Sequence, residues 1–258
     1  MSMIKKILFF ALLSLSSLSY ADTKDIYINE SYNLSRKMLL EKVYKDNKKT
    51  VYCEIPFDDK NRLLFPKWFD VSKVADRYNR LEIEHIIPAE AFGVYIKQWW
   101  QGDKLCIDKK GKSFKGRKCA EKTSRLFRLM QADMYNLYPS VGSVNAVRGN
   151  LDFAKIADYM PSVFGACQIK IADGKIEIPD NVKGVVARVY LYFENEYPFF
   201  KIKEEQKPLF LKWDENFPVT AFECLRTYRI EQLQHNENKP VKDRCIQKHL
   251  WPQNIKEN

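Results

Sequence analysis

The chain has 258 residues and a formal charge of +10, with 45% hydrophobic and 14% aromatic residues but only 9 glycines and 11 prolines. That balance excludes a disordered or collagen-like polypeptide and supplies apolar mass for one large domain or two small ones. Excess positive charge points to an anionic partner such as nucleic acid, anionic lipid or cell-wall polymer, without choosing among them.

Residues 1–21 read as a secretory signal. Lys5 and Lys6 precede the apolar run Ile7 to Leu18, and Ser19-Tyr20-Ala21 places small residues for cleavage before Asp22. The run is too short to cross a bilayer comfortably, and no second run of spanning length follows. A protein without a membrane anchor after cleavage, periplasmic or secreted, is expected. Residues 22–258 lack a Gly/Ser-rich linker, a low-complexity tract or an internal repeat, so they are expected to form one domain, acting as a monomer.

All six cysteines lie beyond the signal and none forms a CxxC pair, which favours disulfides in an oxidising compartment over a zinc ribbon. Loop closure favours Cys106–Cys119 and Cys224–Cys245, leaving Cys53–Cys167 to tie the N-terminal part to the middle of the chain.

Leu34, Met38, Leu39 and Val43 give helical spacing over residues 30–45. Val51 to Phe57 reads as extended, ending in a turn at Asp58-Asp59. Leu81 to Ile87 alternates as a strand that Pro88 ends. Between Lys104 and Arg128 the basic residues crowd. Lys109, Lys110, Lys112 and Lys115 lie in the prospective Cys106–Cys119 loop, where they could contact phosphates while Phe114 stacks on a base or sugar. A solvated loop is the equally economical reading, and Trp99 and Trp100 before it are expected in the core. Glu121 to Tyr135 reads as a helix, and Pro139 and Gly142 as breaks. Residues 169–171 and 176–178 resemble a hairpin around Asp173-Gly174. Helices are expected over 181–197, over 204–213, and from Pro218 to about Gln234 with Thr220 as cap. The sum is an α+β domain, mostly helical with a small sheet.

The chemistry concentrates in Leu81-Glu82-Ile83-Glu84-His85-Ile86-Ile87-Pro88. A histidine can accept a proton near neutral pH, and a carboxylate can hold a hard divalent cation. Neighbouring strand residues point to opposite faces, so Glu84 and His85 serve one phosphate only if the strand bends or ends there. A hydrogen-bonded core histidine beside a surface glutamate is the competing reading. Asn136, ending the predicted helix, offers a neutral oxygen ligand, although an asparagine there also makes an ordinary helix C-cap. His235 and His249 stand too far apart for an HExxH zinc site.

Several segments together resemble the bacterial endonuclease I family of periplasmic and secreted deoxyribonucleases. They are Glu84-His85-Ile86-Ile87-Pro88-Ala89 with Phe92-Gly93, Asp133-Met134-Tyr135-Asn136-Leu137-Tyr138-Pro139, and Gly142-Ser143-Val144-Asn145 with Arg148. Gly165-Ala166-Cys167, Ala187-Arg188-Val189-Tyr190-Leu191-Tyr192 and Pro218-Val219-Thr220-Ala221-Phe222-Glu223-Cys224 with Arg229-Ile230 follow in the family's order. The resemblance implies a ββα-metal nuclease core, with His85 as general base, Glu84 and Asn136 as ligands of Mg2+ (Ca2+ or Mn2+ as substitutes), and Arg148 at a phosphate or in a salt bridge. It implies sequence-nonspecific hydrolysis of DNA, and of RNA if phosphates alone are read, to products with 5′ phosphates. The chain departs from the family at Tyr135, where a histidine is usual. The rival function is a noncatalytic basic nucleic-acid-binding or DNA-uptake surface protein, which has no use for Glu84, His85 and Asn136.

Overall fold

The computed structural model describes residues 29–69 and 77–252, so the signal read over 1–21 lies outside the described residues. The chain enters through α1 (Tyr32–Met38), capped by the Ser31 hydroxyl accepting from the Leu34 N–H and continued as a wider π turn over Leu39–Val43. This is the helix expected over 30–45. The extended reading of Val51 to Phe57 yields only isolated bridges, Lys49 with Pro56 and Phe57 with Leu63.

Strand β1 (Leu81–His85) pairs antiparallel with β2 (Leu137–Val141), His85 opposite Leu137 and Leu81 opposite Val141. Between them run α2 (Ala89–Gly93), α3 (Lys97–Trp100), α4 (Arg117–Thr123) and α5 (Arg125–Ala132). The helix expected over 121–135 is therefore two helices. Ser124 leaves the helical region and caps α5 by accepting from the Phe127 N–H, and Asp133 ends it by capping a short 3-10 turn over Met134–Asn136.

Pro139 and Gly142, read as breaks, are a strand residue and the first residue of α6 (Gly142–Arg148). Proline is tolerated because the sheet has only two strands, so its missing N–H lies on an edge. The glycine answers to close approach: a Cβ there would meet the Arg77 carbonyl oxygen at 2.3 Å. Strand, strand and α6 form the expected ββα unit, built from two elements that local pattern conceals.

Strands β3 (Asp152–Phe153), β4 (Lys170–Ala172) and β5 (Lys175–Glu177) make a second sheet in the order β3-β5-β4, which contains the expected hairpin. The rest is helical: α7 (Asp180–Glu196), α8 (Lys207–Asn216), α9 (Ala221–Gln234) and α10 (Lys239–Gln247). Thr220 caps α9 as expected, accepting from the Glu223 N–H. The domain is α+β, mostly helical, with a main apolar core that reaches from Leu39 through Ile86, Phe92, Phe127 and Tyr192 to Phe210 and a small second cluster around Cys224–Cys245. Trp99 packs against that core at Phe127, but Trp100 is 54% exposed, contrary to expectation, because α3 ends there at the surface.

The three disulfides are Cys53–Cys167, Cys106–Cys119 and Cys224–Cys245, as loop closure favoured. Buried Arg188 on α7 adds a paired donation to Glu223 on α9, from Nε at 2.7 Å and Nη2 at 2.6 Å. Planar matching of this kind satisfies both charges away from water.

Candidate active site

Residues Glu82 and Glu84 lie two apart on β1 and so share one face, where α6 crosses them. Asn145 and Arg148 lie three apart on α6 and share the facing stripe. The Asn145 amide nitrogen donates to Glu82 at 2.7 Å, and Arg148 Nε stands 3.3 Å from Glu84 Oε1. Glu82 is also gripped by Arg77, whose Nε donates at 2.8 Å. Because Glu82 can only accept, the Asn145 amide is oriented with its nitrogen on the carboxylate and its oxygen left available.

Glu84 is 2% exposed. The Tyr52 hydroxyl donates to the same Oε1 at 3.0 Å, and among the described residues no hydrogen bond engages Oε2. Burial pushes its carboxyl up to about 7, with Arg148 and Tyr52 pulling the other way.

His85 ends β1 half-buried, stacked on Tyr32 of α1 with ring centroids 5.4 Å apart. Its Nε2 lies 2.9 Å from the carbonyl oxygen of Gln131 on α5. A carbonyl only accepts, so Nε2 carries the proton and Nδ1 of the neutral ring keeps a free lone pair. Burial drives the imidazole down to about 4, against the Gln131 hydrogen bond, so the ring is neutral at ordinary pH.

The bend anticipated after His85 is held from two sides. Asn136 Oδ1 accepts from the Ile87 N–H at 2.7 Å while its Nδ2 donates to the Ile87 carbonyl at 3.0 Å. Arg148 Nη2 donates to the Ile86 carbonyl at 2.6 Å and Nη1 to that of Gly149 at 2.7 Å. Both side chains are buried, at 0% and 1% exposure.

Glu84 and His85 therefore open into one cleft of about 520 Å3, which Glu82, Asn145, Tyr32, Arg36, Arg77 and Arg117 also line. Asn136 and Arg148 do not line it. The ligand role expected for Asn136 and the phosphate contact expected for Arg148 meet the same obstacle: both groups are spent on the backbone beneath the cleft. The salt-bridge reading of Arg148 is the one the geometry matches. Tyr135 is likewise internal, its hydroxyl donating to the Asn236 carbonyl at 2.9 Å. Lys109, Lys110, Lys112 and Lys115 are exposed on the disulfide loop, outside the cleft wall.

Sequence reasoning missed Asn145 and Arg117. Asn145 stood inside a matched segment without a role, and its spacing from Arg148 on a helix was the available signal. Arg117 was counted only as part of the basic crowd, yet its Nε donates to the Gln131 side chain at 3.2 Å, beside the carbonyl that holds His85.

Two hard oxygen donors, from Glu84 and Asn145, thus share the cleft with an unprotonated imidazole nitrogen. Such a donor pair fits a divalent cation that keeps much of its own water, as Mg2+ does. No group of three or more His, Cys, Asp and Glu side chains that could hold a metal gathers among the described residues.

The chain matches the family model described as Endonuclease I over residues 2–245. It is 32% identical over 216 residues to an extracellular deoxyribonuclease of Aeromonas hydrophila, covering 81% of this chain and 88% of that protein. A periplasmic deoxyribonuclease of the same organism is also 32% identical over 216 residues, covering 81% and 84%. Endonuclease-1 of Buchnera aphidicola subsp. Baizongia pistaciae is 32% identical over 263 residues, covering 98% and 100%. No helix among the described residues is long and apolar enough to cross a membrane. With its ββα cleft and a match over nearly its whole length, the chain belongs to the endonuclease I family of nucleases.

Proposed function

We propose that the protein is an exported, sequence-nonspecific endonuclease, periplasmic or released, that hydrolyses DNA with a divalent cation and His85 as general base. The observation that carries this reading is the hydrogen bond from His85 Nε2 to the Gln131 carbonyl, which leaves the Nδ1 lone pair of a neutral ring free in an arginine-lined cleft. Nδ1 takes a proton from the water that attacks phosphorus in line, and Tyr32 and Gln131 hold the ring while it does so. Arg117 and Arg36 offset the charge that builds on the phosphate oxygens. Glu84 and Asn145, in place of the Glu84 and Asn136 pair read from sequence, would hold the cation; Mg2+ suits them, with Ca2+ or Mn2+ as substitutes. When bound, the cation supplies positive charge against the phosphate and the departing 3′ oxygen. Rupture on the 3′ side leaves 5′-phosphate ends.

Arg148 and Tyr52 are positioning residues. They hold Glu84 Oε1 so that Oε2 is presented to the cation. The relatives named as deoxyribonucleases support DNA as substrate, and recognition through phosphates would extend activity to RNA. Plasmid digestion with Mg2+, with EDTA and with His85→Ala tests the reading. Cleavage is expected only for the unaltered protein with metal, and the substitution should lower the rate by about 10²-fold or more. A His85→Ala protein that cuts at the parent rate would sink the mechanism, and a chain that binds DNA without cutting it would favour the noncatalytic alternative.

A further inference from the structure

A second cavity, of about 280 Å3, adjoins the catalytic cleft. Pro88 and Asn150 line both. Its character differs sharply from that of its neighbour. Phe200, Ile202 and Tyr190 at its floor belong to the apolar core, and Val94 and Tyr95 stand at its rim 50% and 48% exposed. Tyr95 is held edge-on against Phe200, with ring centroids 6.3 Å apart, so the rim aromatic is braced while still open to solvent.

One polar group inside is nearly buried. Gln206 is 6% exposed, its Nε2 donates to the Phe153 carbonyl at 2.5 Å, and among the described residues no hydrogen bond engages its Oε1. The Phe153 contact orients the amide, leaving a carbonyl acceptor beside the apolar side chains of Phe200, Ile202 and Tyr190. Glu90, Asp152, Lys201 and Lys203 also line the cavity, and Lys203 is engaged by Asp152, its Nζ donating to the two carboxylate oxygens at 2.9 and 2.7 Å.

A largely apolar slot with a braced aromatic and one acceptor matches the flat face and N–H edge of a nucleobase. The cleft next door handles phosphate in the reading above, on which this inference rests. A polymer threaded through the cleft must place a neighbouring nucleotide over the boundary at Pro88 and Asn150. We infer that this cavity takes the base next to the scissile phosphate, turned out of its stack, and thereby biases where along a strand the enzyme cuts.

Unstacking is cheapest in single strands and at flexible steps, so cut sites should concentrate there. The acceptor of Gln206 can take an N–H from the Watson–Crick edge of such an extruded base. Phosphate contacts alone would not favour an extruded base.

The test reads binding without cleavage. His85→Ala protein with Mg2+ is titrated into single-stranded oligonucleotides carrying the fluorescent base 2-aminopurine at one position at a time. An emission change confined to one or two adjacent positions is expected. Tyr95→Ala should abolish it and weaken binding on the order of tenfold, the usual worth of one base–aromatic stack. Leu151→Trp, which places an indole in the cavity, should abolish it without touching the rim. A uniform response along the strand, or one that survives both substitutions, overturns the inference. Because no bond is broken, a protein that shows the localised response but never cuts DNA would refute the hydrolytic reading and, with it, the bias on cutting, leaving only the base-binding cavity.

Discussion

Asn136 closes both ends of its side-chain amide on the backbone of Ile87, at 2.7 and 3.0 Å, with no exposure to solvent. An amide so placed shapes the floor of the cleft and cannot turn toward a cation without stranding a buried N–H and carbonyl. Asn145 rests on Glu82 by its amide nitrogen, and among the described residues no hydrogen bond engages its oxygen.

The two asparagines should therefore separate cleanly. Asn136→Ala is expected to lower folding stability by about 1–3 kcal/mol through its unpaired buried partners, read as a fall in urea midpoint at unchanged slope. Asn145→Ala should leave the midpoint nearly unaltered while Mg2+-dependent plasmid cleavage falls by about 10²-fold. The reverse assignment would return the ligand role to Asn136.

Arg148 is expected to behave as a buried partner of Glu84. Removing it strands a carboxylate that is 2% exposed, a change that costs about 3–5 kcal/mol in comparable buried pairs. Arg148→Lys should recover little, because a single ammonium cannot reach Glu84, Ile86 and Gly149 together. Denaturation of Arg148→Ala and Arg148→Lys measures this. A stable Arg148→Ala protein with weakened DNA affinity would point to a phosphate contact instead.

The acid limb of activity should belong to Glu84, not His85. The imidazole is pushed down to about 4 and stays neutral well into acid, whereas the metal-free carboxyl is pushed up to about 7. Below about 7 protons therefore compete with the cation for Glu84. The limb should sit near neutrality at limiting Mg2+ and move to lower pH as Mg2+ rises. The sign for stability runs the same way. A carboxyl raised in the folded state favours folding at low pH and withdraws that favour as pH rises from 4.5 through 7. Added Mg2+ should restore it by binding the folded form. Rate profiles at several Mg2+ concentrations check the first claim, and a limb that does not move with metal would transfer it to His85.

Tyr32 should act on rate more than on fold. It is half-buried, it stacks on the His85 ring, and α1 is separately tied down by the Ser35 hydroxyl donating to the Ala132 carbonyl at 2.5 Å. Tyr32→Ala is expected to reduce kcat about tenfold or more by loosening His85, with KM little changed, while Tyr32→Phe keeps most of the rate. Steady-state kinetics on a short duplex distinguishes this from a binding role, in which KM would rise.

The lysines of the disulfide loop face solvent away from the cleft wall, so any contribution from them is through long-range attraction and outlying phosphates. Replacing Lys109, Lys110, Lys112 and Lys115 with Gln should weaken DNA binding and flatten its salt dependence by about 0.9 per lost phosphate contact. Binding and salt slope both unchanged would assign the loop to solvation alone.

Much of this protein is written locally. Cysteine spacing anticipated all three disulfides. Alternation marked β1, and helical period marked α1, α7, α8 and α9, because in those segments the residues that set the element are neighbours along the chain. The Glu84-His85 pair and the ordered motifs likewise carried the family. Local pattern failed where long-range contacts decide. Pro139 reads as a break until an edge strand gives its missing N–H somewhere to go, and Gly142 reads as a turn until the Arg77 carbonyl demands room above it. The two asparagines are the clearest case. Asn136 ends a predicted helix and Asn145 follows the predicted breaks, and nothing in the immediate sequence says which way either points. Asn136 is claimed by a backbone 49 residues away and Asn145 by a carboxylate 63 residues away. A side chain's chemistry belongs to the residue, but its free lone pair is whatever folding leaves over, and here only the tertiary structure selects the asparagine that faces the cleft.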